Sequence, residues 1–338
     1  MNVMIKPVSG RCNLNCRYCF YQQEHSTLSP MAADDACLLL NKLKEPLGSG
    51  CTLVFQGGEP LLAGHAFYKT VLAHLKRMGF AGQVCVQTNG TLLDDRFGAL
   101  FREYQVLTGV SLDGDRQAHS LYRSDFDRVM QGIDCLRRHG CAFNILTVVT
   151  DANASRIDEI FAFYRAQGFD WQQYIPCMGG PPFLKDETYG EFLIRLFALW
   201  MQDRQQGGQV SIRLFENLMQ ILAGYHPEDC GAAGVCTRQY LLEADGSVYP
   251  CDFYVQPSHQ LGNLHHASLA QLEASPVGNT FREESWQLPE QCSRCRWLDL
   301  CRGGCKRYRD ENGLFRFCAA YRKFFRACIP QFRQLMEE

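Results

Sequence analysis

Val3-Met4-Ile5-Lys6-Pro7-Val8-Ser9-Gly10-Arg11-Cys12-Asn13-Leu14-Asn15-Cys16-Arg17-Tyr18-Cys19-Phe20 reads as a short apolar strand running into three cysteines spaced C-x3-C-x2-C. Iron–sulfur cubanes are held by cysteine thiolates, normally four, drawn from closely spaced runs. This run stops at three, and the next cysteine, Cys37, falls in a helical pattern. A cubane held by three protein thiolates leaves one iron open to an exogenous ligand. Structural zinc closes its tetrahedron with four ligands. His25 is available as a fourth, so the triad alone admits zinc as well.

Outward from this stretch, the first two-thirds of the chain alternates β-rich runs with helical patterns. Strands are predicted over residues 3–8, 52–55, 83–88, 107–111, 143–149 and 171–175, and helices over 31–44, 65–78, 94–103, 126–138 and 157–167. Ser29-Pro30 reads as an N-cap followed by proline at the first helical position. Gly79, Gly140 and Gly168 stand where a left-handed cap is usual. Six strand–helix repeats with near-continuous apolar strands predict an α/β fold, a parallel sheet covered by helices. That count points to an open or partial barrel rather than a closed eightfold one. Such sheets bind ligands beyond the carboxyl ends of their strands, the rim where the cysteine loop falls. A helix over 188–205 follows a Gly179-Gly180-Pro181-Pro182 break. Beyond residue 215 the rhythm fades into cysteines, turns and basic residues, so two domains are predicted, 1–215 and 216–338.

With 338 residues and 46% hydrophobic content, the chain can bury a sizeable core. A formal net charge of -2 gives no general electrostatic case for nucleic acid. No apolar run approaches the roughly 18 residues of a membrane span. The N-terminus lacks a signal-peptide pattern, which makes a cytoplasmic protein the expectation. That compartment keeps thiols reduced, so ligation rather than disulfide pairing is expected for the clustered members of the 18 cysteines. Cys37, Cys51, Cys85, Cys135, Cys141, Cys177 and Cys328 are scattered and read as small buried hydrophobes.

A second motif, Gln56-Gly57-Gly58-Glu59-Pro60, follows the second strand. Two glycines at a strand exit let a ligand approach the backbone closely, and Glu59 offers an acceptor for an ammonium group; alone, the run also fits a plain chain reversal. In the last third, Cys236-x9-Gly246-x4-Cys251 is followed by Cys292-x2-Cys295-x5-Cys301-x3-Cys305 and then Cys318. With Cys230 these thiols suffice for two four-thiolate cubanes. Zinc ribbons also use C-x2-C knuckles, but the interleaved Cys305 and the long gap from Cys251 to Cys292 fit them poorly. Arg294, Arg296, Arg302, Lys306, Arg307 and Arg309 read as cations offsetting cluster charge, which leaves no need for an RNA-binding face.

Cys12, Cys16 and Cys19 with Phe20, followed by Gly57-Gly58-Glu59-Pro60, resemble the radical S-adenosylmethionine (SAM) superfamily, whose fold is a partial (β/α)6 barrel. By that resemblance Gly57, Gly58 and Glu59 hold the methionine amino group, while Ser111 and Arg123 contact SAM. Gln87-Thr88-Asn89-Gly90-Thr91 matches a recurring strand-end segment. The later cysteines resemble the SPASM extension of peptide-modifying members. This implies Cys230, Cys236, Cys251 and Cys305 on a first auxiliary cluster, and Cys292, Cys295, Cys301 and Cys318 on a second. Three [4Fe-4S] clusters are therefore expected.

Ile5-Lys6-Pro7, Cys19-Phe20-Tyr21, Ser211-Ile212-Arg213, Asp245-Gly246-Ser247-Val248-Tyr249-Pro250-Cys251-Asp252-Phe253-Tyr254 and Gly303-Gly304-Cys305 are together similar to the anaerobic sulfatase-maturating enzymes. The similarity implies oxidation of a sulfatase cysteine or serine to Cα-formylglycine by a 5′-deoxyadenosyl radical, with Asp252 as base and Tyr21 and Gln56 lining the peptide pocket. On its own, Asp252 reads as a turn or capping aspartate. The implied partners are a sulfatase polypeptide carrying Cys/Ser-x-Pro/Ala-x-Arg and a flavodoxin- or ferredoxin-like electron donor, with no nucleic acid and no membrane. A maturase that crosslinks a ribosomal peptide through a thioether would use the same clusters and stays open as the alternative.

Overall fold

The structure, a computed structural model, describes residues 2–23, 28–44, 47, 50–179 and 183–337; His25 and the residues 180–182 of the Gly-Pro break lie outside these. Among the described residues ten strands follow in chain order: β1 (Asn2–Ile5), β2 (Thr52–Phe55), β3 (Gln83–Thr88), β4 (Leu107–Ser111), β5 (Phe143–Val149), β6 (Trp171–Pro176), β7 (Ser211–Ile212), β8 (Gln239–Leu242), β9 (Ser247–Tyr249) and β10 (Gly262–Asn263). The chain packs as two compact units interleaved along the sequence. Met1–Ser111, Ser124–Phe143 and Thr237–Phe281 form the first; Leu112–Arg123, Asn144–Cys236 and Arg282–Glu338 form the second.

In the first unit β1, β2, β3 and β4 pair successively in parallel. The other edge of β1 takes β8, also in parallel, and β9 and β10 continue antiparallel. Strand β1 stops at Ile5, three residues short of its predicted end, because Pro7 has no N–H for the ladder. The chain instead curls, with the Ser9 N–H donating to Lys6 O and the Arg11 N–H to Val8 O. That curl delivers the cysteine triad directly beyond the carboxyl end of β1. The next helix, Ala33–Lys42, is N-capped by Ala32, so Ser29-Pro30 is not its cap. Gly79, Gly140 and Gly168 do take the left-handed conformation, at φ +73°, +63° and +65°.

Amphipathic helices close the core. Helix Asp95–Glu103, capped by Asp94 on the Phe97 N–H, buries Phe97, Leu100 and Phe101. Helix Phe126–Arg138 buries Val129, Ile133 and Leu136 along one face. Tyr68 meets Phe55, Phe97 and Phe101 edge-on, at centroid distances of 5.3, 5.9 and 6.1 Å. The second unit has β5, β6 and β7 in parallel. Its helices Asp186–Gln205 and Cys318–Glu337 share an aromatic core in which Phe197 and Phe332 approach to 4.4 Å. Of the scattered cysteines, Cys51, Cys135, Cys141, Cys177 and Cys328 are buried and Cys37 and Cys85 half-buried. Burial alone pushes the Cys328 thiol up to about 12. No helix among the described residues is long and apolar enough to cross a membrane.

Candidate functional site

Cys12, Cys16 and Cys19 occupy the loop beyond β1 and are exposed, buried and half-buried in turn. The Leu14 N–H donates to Cys12 Sγ at 3.4 Å and Asn89 Nδ2 at 3.8 Å. N–H···S contacts of this kind suit a cluster thiolate. Asn89 also donates to Asn13 Oδ1 at 2.8 Å, and Asn13 donates to Thr91 Oγ1 at 2.9 Å. The segment beyond β3 thereby braces the loop beyond β1. Burial raises the Cys12 thiol above its ordinary value against the pull of the Leu14 N–H.

The two glycines lock this loop to the exit of β2. The Gly58 N–H donates to Ser9 O and the Glu59 N–H to Arg11 O, both at 2.8 Å. A Cβ on Gly57, at φ +121°, would stand 2.5 Å from Ser9 O, and one on Gly58 2.1 Å from Arg11 O. What comes closest to these glycines is therefore the protein's own cysteine-loop backbone. Glu59 is 0% exposed. Its Oε1 accepts from the Leu61 N–H at 3.0 Å and the Thr88 hydroxyl at 2.8 Å, and its Oε2 from the Asn89 N–H at 2.7 Å. The side chain expected to receive a ligand's ammonium is turned inward as a brace, because the ends of β2 and β3 supply enough donors to hold it. Gly58→Ala must displace Arg11 and with it Cys12. The expected result is protein that keeps its secondary structure but holds about four fewer irons per chain. Full iron in that variant would show that this corner does not position the triad.

A charged group lies in the same unit. The register pairs Ile5 with Leu242, which brings the next residues, Lys6 and Glu243, side by side. Lys6 Nζ stands 3.2 Å from Glu243 Oε1 and 2.8 Å from Asp252 Oδ1, and 4.5 Å from the Tyr21 ring centroid. The Tyr21 hydroxyl donates to Asp252 Oδ2. Burial pulls Lys6 down, but Asp252 and Glu243 outweigh it and hold the ammonium above its ordinary value. Burial and the Asp252 charge push the Tyr21 phenol well up, so it stays a donor. Gln56 is buried, its amide 3.3 Å from Met4 Sδ. Lys6 and Glu243 were not singled out from sequence. Their signal was a charge closing each of two apolar strands.

Ser111 ends β4 in the first unit. Arg123 belongs to the second unit and is no solvated side chain, being 9% exposed with Nε 3.2 Å from Asp113 Oδ2. Asp113 Oδ1 in turn accepts from the Val148 N–H at 2.9 Å.

The second unit gathers Cys292, Cys295, Cys301 and Cys318 around one cavity of about 370 Å³. Cys328 does not line it. A Cβ on Gly231, next to Cys230, would be 3.5 Å from Cys305 Cβ. Cys251 follows β9 in the first unit. Burial pushes Cys301 and Cys305 each up to about 11. Among the described residues, one group of three metal-capable side chains has its ligand atoms within 4.8 Å of one another: Asp95, Cys135 and His139. There Arg138 already occupies Asp95 Oδ1 at 2.9 Å. A single zinc ion would draw its sulfurs to about 3.8 Å of one another. Neither the triad nor the 292/295/301/318 set brings three sulfurs within 4.8 Å of one another, which does not match a preformed zinc tetrahedron.

Residues 7–164 match the radical SAM superfamily, and residues 230–296 match an iron–sulfur cluster-binding domain, SPASM. The cysteine-type anaerobic sulfatase-maturating enzyme of Clostridium novyi is 34% identical over 98% of this chain and 96% of its own length. The serine-type enzyme of Bacteroides thetaiotaomicron is 30% identical over 97% of this chain and 89% of its own. Native anSMEcpe with bound AdoMet, 32% identical, superposes with a TM-score of 0.94 over 99% of this chain and 98% of that one. The mixed α/β fold, a partial barrel followed by a SPASM domain, is the one expected from sequence. On this full-length similarity the chain belongs to the anaerobic sulfatase-maturating enzymes, radical SAM oxidoreductases that carry an iron–sulfur-binding SPASM domain.

Proposed function

We propose that this chain oxidises a cysteine or serine in a sulfatase polypeptide to Cα-formylglycine. One observation carries the reading: Asp252 is held between the Lys6 ammonium and the Tyr21 hydroxyl in the unit that also carries the cysteine triad. Cys12, Cys16 and Cys19 would hold the SAM-binding cluster. Cys230, Cys236, Cys251 and Cys305 would hold a first auxiliary [4Fe-4S] cluster, and Cys292, Cys295, Cys301 and Cys318 a second. The main chain at Gly57 and Gly58, braced by Glu59, would meet the SAM amino group, with Ser111 and Arg123 on other parts of the cofactor. When bound, SAM and its cluster supply a 5′-deoxyadenosyl radical that takes a hydrogen from the substrate Cβ, and the SPASM iron supplies an electron acceptor.

The chain's own part is proton handling and placement. Lys6 pairs with Asp252 Oδ1 at 2.8 Å, and Asp252 takes the substrate thiol or hydroxyl proton on an oxygen that retains a lone pair. Losing that proton makes the substrate carbon radical a stronger reductant. Cysteine then gives a thioaldehyde that hydrolyses to formylglycine, and serine gives the aldehyde directly. Tyr21, which fixes Asp252, and Gln56 are the proposed peptide contacts. The substrate would carry Cys/Ser-x-Pro/Ala-x-Arg, and a flavodoxin- or ferredoxin-like protein would donate electrons, in the cytoplasm, without nucleic acid or membrane.

Anaerobic incubation with SAM, a reductant and such a peptide tests the reading by mass spectrometry. An aldehyde in place of the thiol is expected. A crosslinked product that retains sulfur would replace this reading with that of a peptide-crosslinking maturase. Reconstituted protein is expected to hold about twelve irons per chain, four per cubane.

A further inference from the structure

The guanidinium of Arg309 has five N–H donors, and a main-chain carbonyl takes each of them. Nε donates to Gly303 O at 2.9 Å; Nη1 to Ser285 O at 2.7 Å and Gln287 O at 3.3 Å; Nη2 to Gly234 O at 2.8 Å and Gly304 O at 3.1 Å. These carbonyls come from three segments that carry cysteines of both SPASM sets. Gly234 lies two residues before Cys236. Ser285 and Gln287 lie at the end of helix Pro276–Trp286, on the way to Cys292. Gly303 and Gly304 lie between Cys301 and Cys305. Ser285 adds a direct tie, its Oγ accepting from the Cys236 N–H at 2.8 Å.

The three glycines cannot be replaced without collision. They have φ +70°, +77° and +59° at 234, 303 and 304. A Cβ on each would stand 2.0 Å from Arg302 O, 2.3 Å from Leu288 Cδ2 and 2.6 Å from Phe315 Cδ2. Five neutral acceptors use up the donors of Arg309 and leave no place for a carboxylate on the fork. Burial pulls Arg309 below its ordinary value, and Cys236, Cys305, Cys292 and Cys301 act against that pull. The five carbonyls that hold this cation come from segments bearing cysteines of both sets.

We propose that Arg309 is the shared positioning residue of both auxiliary centres: it clamps three segments that carry cysteines of both sets and holds one positive charge beside them. This rests on the cluster assignment above. A fixed cation favours the more negative, reduced form of a cluster, so Arg309 raises the reduction potential of these centres.

The test uses anaerobically reconstituted full-length wild type, Arg309→Lys and Arg309→Gln. Iron per chain, the rate of iron loss to a chelator and the midpoint potentials from an EPR-monitored redox titration are compared. Arg309→Gln is expected to shift the auxiliary signals to more negative potential by a factor of ten or more in the reduction equilibrium, about 59 mV for one electron. Arg309→Lys keeps the charge and is expected to stay near the wild-type potential. Both variants have fewer donors and are expected to lose iron faster. Unshifted potentials in an iron-replete Gln variant would overturn the charge role, and wild-type iron loss from both variants would overturn the clamp. If the Gln variant loads no auxiliary iron, the Lys variant decides: faster loss at an unshifted potential supports the proposal, and wild-type retention overturns it. Wild-type protein with only about four irons removes the auxiliary centres themselves, a failure distinct from a replete protein indifferent to residue 309.

Discussion

Asp252→Asn protein is expected to cleave SAM to 5′-deoxyadenosine in the presence of peptide while forming formylglycine ~10²–10⁴-fold more slowly, the usual contribution of a positioned general base. The substitution is isosteric, and Asn can still accept from the Tyr21 hydroxyl. It leaves Lys6 compensated as well, because Glu243 Oε1 remains 3.2 Å from the ammonium. The fold and the cysteine triad are therefore expected to survive, and the loss to fall on the proton-accepting step. The two readouts separate the roles. Persistent 5′-deoxyadenosine with no aldehyde supports Asp252 as the base; loss of both products would place it in cofactor binding, and unimpaired formylglycine would remove it from the chemistry.

Lys6→Met is expected to give the largest loss of stability. The ammonium is 2% exposed and stands between side chains that are 4% exposed at Glu243 and 16% at Asp252. Removing one partner of a buried ion pair strands the other charge and costs roughly 3–5 kcal/mol. Most of that should fall on Glu243, the more deeply buried carboxylate, whose Oε2 has no hydrogen-bond partner among the described residues. Anaerobic thermal denaturation is expected to show a clearly lowered midpoint, with much of the loss recovered on adding Glu243→Gln, which removes the stranded charge. A double variant no more stable than Lys6→Met would mean that packing, not charge, makes Lys6 necessary. Because the folded-state pKa of Lys6 is raised above 10.5, its stabilisation is complete below that value and is lost only as pH climbs through the folded value. Through the neutral range, its contribution is expected to be independent of pH.

Legibility of the molecule followed the range of the interactions involved. Strand positions from β2 to β6 were readable because parallel strands buried on both faces are short apolar runs closed by turn residues. The end of β1 was overestimated, since apolar character continues to Val8 while the missing N–H of Pro7 and the turn at Lys6–Ser9 end the ladder at Ile5. The strands β7 to β10 were not foreseen. They are two, four, three and two residues long, too short for periodicity to register.

By itself, the sequence determined the closely spaced cysteine runs, the Gly-Gly corner and the βα order, because each depends on residue types at close spacing along the chain. Only the tertiary structure decided that Gly57 and Gly58 are needed to admit the cysteine-loop backbone, and that Glu59 turns inward. It alone joined Lys6, Tyr21, Glu243 and Asp252, the hydrogen-bonded Tyr21 and Asp252 being 231 residues apart. The physical reason is register: once β8 pairs with β1, two charges that each look out of place at the end of an apolar strand become neighbours, and Lys6 then holds Asp252, the carboxylate proposed as base.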